Sequence, residues 1–96
     1  MGPPAPHEKK PPATYTVEFL QTAVKQLAAV DPVHQRRIEK QIDALSTEPR
    51  PVGAEKLKGS DYLRIRIGDY RVIYQVEDGR LVVLIVELGH RREIYR

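Results

Sequence analysis

Arg64, Arg66 and Arg71 fall in one short stretch, and His90, Arg91, Arg92, Tyr95 and Arg96 crowd the C-terminal end. A guanidinium is a planar fork that pairs bidentately with phosphate and stacks on bases. Cations gathered at a phosphodiester beside an aromatic ring are the usual means of holding single-stranded RNA. Aimed at the phosphate, the same forks stabilise extra charge as it develops in a transition state. His90 adds a side chain that titrates near neutrality. A solvated sheet face carrying the same arginines only for solubility fits the spacing equally well.

Other chemistries find little support. No glycine-rich phosphate loop precedes a lysine, and no two histidines stand at metal-ligand spacing. Ser46 and Ser60 sit near turns without nucleophile-elbow glycines. The acids are scattered, and Glu87 is the only one near the basic group. Cysteine is absent, which removes disulfide frameworks and thiolate metal sites. No cofactor is called for.

The elements that must position these residues follow from periodicity. Residues 15–19 alternate apolar and polar with β-branched members, the pattern of a half-buried strand. Ala23, Val24, Leu27 and Ala28 then fall at helical spacing. Asp31-Pro32 opens a second helix: the aspartate caps free amides, and proline suits the first helical position. Ile38, Ile42 and Leu45 form its apolar stripe, and Pro49 and Pro51 end it. The pair makes a helical hairpin with one buried side.

Beyond Glu55 the period drops to two. Leu63, Ile65 and Ile67 point one way while Arg64 and Arg66 point the other. Gly68-Asp69 turns the chain into a strand over 70–76, in which Tyr70 and Tyr74 share a face with Val72 as core or wall residues. Asp78-Gly79 signals a second hairpin. The apolar run 81–86 implies a central strand covered on both faces. The expected fold class is α+β: an N-terminal strand, a helical hairpin, then an antiparallel three-stranded meander, with helices packed on one sheet face.

Residues 1–14 hold five prolines and almost nothing apolar, and read as a disordered leader. Residues 15–96 remain as one domain. Net charge is +3, a weak pointer to an acidic partner. No apolar stretch reaches membrane-spanning length and no signal-peptide core is evident, so the expected location is the cytoplasm, without a membrane partner.

Four stretches together resemble the RelE/ParE superfamily of toxins from toxin–antitoxin modules. They are residues 15–19; Lys56-Leu57-Lys58-Gly59 with Leu63-Arg64-Ile65-Arg66; Gly68-Asp69-Tyr70-Arg71-Val72-Ile73-Tyr74; and Gly89-His90-Arg91-Arg92-Glu93-Ile94-Tyr95-Arg96. The resemblance spans residues 15–96. It implies a RelE-like microbial RNase-type fold, a RelB-like antitoxin partner, and action in the ribosomal A site on bound mRNA. It also implies metal-independent cleavage in which the RNA's own 2′-hydroxyl attacks the adjacent phosphate. Such a reaction asks the protein only for a base, an acid and cations.

By the same resemblance Arg71 contacts the scissile phosphate, Arg91 is the basic residue after the last strand, and Tyr95 is the aromatic that stacks on a base and handles a proton. Arg64 and Arg66 stand where relatives often carry two lysines. Arginine stays protonated, so no lysine base exists there, and His90 or Tyr95 is left as the candidate base. Lys56, Lys58, Arg92 and Arg96 are candidate RNA contacts or plain solvated charges. Two other functions share the fold: a ParE-like gyrase inhibitor, and an RNA-binding module with decayed catalysis.

Overall fold

The computed structural model describes residues 14–90. Residues 1–13 of the expected leader, together with Arg91, Arg92, Tyr95 and Arg96, lie outside the described residues. Strand β1 (Thr16–Phe19) leads into helices α1 (Gln21–Ala28) and α2 (Pro32–Ala44). Strands β2 (Glu55–Lys56), β3 (Tyr62–Ile67), β4 (Tyr70–Glu77) and β5 (Val82–His90) follow.

The sheet order is β1-β5-β4-β3-β2. β1 runs parallel to β5, with Thr16 against Val82 and Phe19 against Ile85. The other pairs are antiparallel, so β3, β4 and β5 form the expected meander. The α+β class holds, with one strand more than the periodicity indicated. β2 is two residues long, too short to display a period.

Helix α2 starts as its sequence dictates. The Asp31 carboxylate accepts a 3.1 Å hydrogen bond from the His34 amide, and Pro32 occupies the first turn. Leu20, which precedes α1, offers no side-chain cap. Burial follows the α2 stripe and only part of the α1 one: Val24 is 45% exposed and Ala28 is exposed too, whereas Ala23, Ile38, Ile42 and Leu45 are closed to solvent. These residues pack on Ile65, Ile67, Val72, Tyr74, Val83, Ile85 and Leu88.

β5 is an interior strand, as its apolar run implies, yet the helices cover one side of it only. Val83 and Ile85 are fully buried beneath them, whereas Leu84 on the opposite side is half-buried. The turn into β5 also differs from its dipeptide signal. Leu81, not Gly79, adopts the left-handed backbone, at φ 54°. At the other hairpin Gly68 does take φ 62°, as a tight turn there requires.

A polar clasp joins the chain at the β4–β5 turn. Asp78 accepts a 2.6 Å bond from the Tyr15 hydroxyl and a 2.9 Å bond from Arg50 Nη2. These bonds, Arg50 first, hold the Asp78 carboxyl below its ordinary range. A depressed carboxylate stabilises the fold above its unfolded pKa, and that contribution fades as pH falls through the lower folded value. Acid melts below about pH 4 should therefore sag. Asp78→Asn should flatten that acid limb and lower neutral stability by the same modest amount, since the pair is exposed.

Candidate active site

Alternation along β3 and β4 sorts their side chains between two sides of the sheet. Ile65 and Ile67 enter the core beneath the helices, which leaves Arg64 and Arg66 on the open side. Arg66 pairs with Arg71, and Arg71 with Gly89; in the next row Glu55 pairs with Arg64, Arg64 with Ile73, and Ile73 with Glu87. Three guanidiniums thus occupy two adjacent rows of one face, on neighbouring strands about 4.8 Å apart.

Their settings differ. Arg71 is sunk into the sheet at 5% exposure, the only charged residue in the buried set among the described residues. Arg64 is mostly covered, and Arg66 is exposed. Charged groups enter an interior only at a desolvation cost, so a buried guanidinium marks a position whose donors are fixed in place. Arg64 Nη2 donates a 2.5 Å bond to Glu55 Oε1. That bond, then the fields of Arg64, Arg66 and Arg71, hold the Glu55 carboxyl below its ordinary range. One carboxylate therefore feels all three cations.

His90 does not join them. It pairs with Tyr70 across β4–β5, on the side that carries Val72 and the helices. Its ring meets Tyr70 edge-on at 5.7 Å, and Tyr70 meets His34 at 5.4 Å on its other flank. His34 is in turn held by Asp31, with Nδ1 3.0 Å from the carboxylate. The expectation of His90 beside Arg71 fails on strand parity: Arg71 pairs with Gly89, so the next residue must point away.

Of the lysines, Lys56 pairs with Leu63 and so sits on the helix side, and Lys58 lies in the exposed turn before β3. Neither shares the arginine rows. Two further residues near these strands carry no signature in the sequence. Glu55 belongs to a strand too short to announce itself. Arg37 of α2 reaches the β3–β4 turn, where its Nη1 stands 3.0 Å from the place a Cβ on Gly68 would occupy. Helical spacing alone gives no sign of that contact.

A helix-backed meander whose bare face gathers arginines around a buried one has the architecture of the small toxins of toxin–antitoxin modules. Residues 17–95 match the family described as the ParE toxin of type II toxin-antitoxin systems, parDE. Toxin RelG of Mycobacterium tuberculosis is 35% identical over 86 residues, covering 85% of this chain and 97% of RelG. The mRNA interferase toxin RelE of Escherichia coli is 28% identical, covering 84% of this chain and 90% of RelE. Among solved structures, the archaeal RelE–RelB complex of Pyrococcus horikoshii superposes with a TM-score of 0.70 at 36% identity, over 81% of this chain and 96% of its match. The chain belongs to the RelE/ParE toxin superfamily. No helix among the described residues is long and apolar enough to cross a membrane.

Proposed function

We propose that this toxin is a ribosome-dependent mRNA endonuclease, and that Arg64, Arg66 and Arg71 bind the phosphate at which the RNA cuts itself. The observation that carries this assignment is the clustering of three guanidiniums in two rows of one sheet face, with Arg71 buried among them. Relatives named mRNA interferase point the same way. A RelB-like antitoxin is the proposed partner, by analogy with the complexes of related toxins.

Arg71 forms the floor of the phosphate site, and Arg66 with Arg64 approaches from the adjacent strand. Arg91, by the family resemblance, adds a further cation to the set. Of the two candidate proton carriers, His90 lies across the sheet against Tyr70; Tyr95 is left to hand a proton to the leaving oxygen and to stack on a base. Arg92 and Arg96 contact the flanking RNA backbone, while Lys56 and Lys58 fit better as contacts to ribosomal RNA or as solvated charges. Tyr95→Ala should lose about 1–3 kcal/mol of RNA binding if the ring stacks on a base. Unchanged cleavage kinetics in that variant would return Tyr95 to a structural role.

Primer extension on translating ribosomes, with and without the protein, tests the assignment. New 3′ ends at A-site codons are expected. The matching family carries the ParE description, and the competing reading is a ParE-like inhibitor of DNA gyrase. Blocked supercoiling with intact mRNA would establish it instead.

A further inference from the structure

We propose that Glu87 is the general base of the cleavage reaction, an inference that rests on the nuclease assignment above. Four strand carboxylates occupy the open side of the sheet. Glu55 is held by Arg64 at 2.5 Å, and Glu77 and Glu18 face Arg80 at 2.6 and 4.0 Å near the β4–β5 turn. Glu87 borders the arginine rows on β5, and among the described residues its carboxylate makes no hydrogen bond or ion pair. Both its oxygens keep lone pairs for a substrate proton.

Register supplies the geometry. Glu87 pairs with Ile73, and Gly89 pairs with Arg71, so Glu87 lies diagonally across β4–β5 from Arg71 on the same side. Diagonal neighbours in an antiparallel pair have Cα atoms roughly 7–8 Å apart, within reach for a glutamate and an arginine converging on one ligand. Gly89 contributes no side chain at the position directly opposite Arg71. A phosphate held by Arg71 and Arg66 therefore leaves its ribose to be met from the β5 side by Glu87.

Chemistry gives the carboxylate its task. Arg64 and Arg66 remain protonated and cannot accept a proton. His90 is on the other side of the sheet. In the step proposed, a Glu87 oxygen takes the 2′-hydroxyl proton as O2′ attacks phosphorus. The O2′–P bond forms and the P–O5′ bond breaks. The 5′-oxygen leaves with the bonding electron pair and takes a proton from the Tyr95 hydroxyl. The products are a 2′,3′-cyclic phosphate and a 5′-hydroxyl.

The test is single-turnover cleavage of a defined mRNA on ribosomes by the full chain and by Glu87→Gln, which keeps size and polarity but not the negative charge. A fall of a hundredfold or more is expected, as for loss of a general base, with ribosome binding and melting temperature unchanged. Glu87→Asp should recover part of the rate, a second reading should the amide variant fold poorly. A message with sulfur in place of the 5′-oxygen at the cut separates the two proton transfers. Sulfur leaves without help, so the Glu87→Gln defect should persist while that of Tyr95→Phe disappears. Wild-type cleavage with Glu87→Gln within threefold of it would overturn Glu87 as base and leave the nuclease assignment standing. An Glu87→Gln defect abolished by the sulfur substitution would also overturn it. A wild-type protein that cuts nothing on ribosomes would remove both.

Discussion

Arg71→Ala should slow mRNA cleavage by between a hundred and a thousandfold, about 3–4 kcal/mol of lost transition-state stabilisation. The size follows from where Arg71 sits. At 5% exposure its side chain has few alternative positions, so in the proposed site it would meet the phosphate with little reorganisation during the reaction. Arg66 is exposed and free to be screened by water and salt, and should matter less per residue. Arg71→Lys keeps the charge but forfeits the bidentate fork, so it should fall between wild type and alanine. The check is the rate of appearance of cut message on ribosomes, with a melt of each variant alongside. Full toxicity of Arg71→Ala would take this residue out of the mechanism.

Much of this face was legible in the sequence because β-strands translate residue number into side. Leu63, Ile65 and Ile67 claim the helix side by alternation, and that alone sends Arg64 and Arg66 to the open one. The Asp31-Pro32 start of α2 was equally plain, since capping is a local interaction. What failed were relations between strands. His90 stands next to Arg91 in sequence, and only the register of β4 against β5 shows that it faces Tyr70 while Gly89 faces Arg71. A one-residue slip would have reversed that outcome. Glu87 is the acid nearest the basic group in the sequence, but its diagonal relation to Arg71 depends on the same register. The bulge between Ile73 and Tyr74 also lies between the rows, and alternating polarity does not reveal it. Arg37 over Gly68 is a contact between a helix and a turn far apart in the chain, with no local signature at all.

Tyr74→Ala should cost about 3–5 kcal/mol of folding stability, the range for removing a large buried ring. Tyr74 is closed to solvent in the middle strand of the sheet, packed in the core that joins Ile38 and Ile42 to Val72 and Ile85. Its hydroxyl donates a 2.7 Å bond to the Pro49 carbonyl, which ties the chain after α2 to the sheet. Tyr74→Phe removes only that bond and leaves the carbonyl to find another donor, so about 1 kcal/mol is expected. A domain of this size has only about 4–12 kcal/mol in total, so the alanine variant should be largely unfolded at 37 °C while the phenylalanine variant is not. Burial also pushes the Tyr74 phenol up to about 12. A raised phenol stabilises the fold fully below its unfolded pKa near 10, and the contribution fades as pH climbs toward the folded value. Tyr74→Phe should therefore lose stability less steeply than wild type between about pH 10 and 12. Urea melts across that window measure both effects. Adding the proposed antitoxin should shift the Tyr74→Ala equilibrium back toward the folded state by mass action. Because Tyr74 lies on the opposite side of β4 from Arg71, antitoxin rescue of folding without any change in the chemistry of the cut would separate the residue that builds the site from those that work in it.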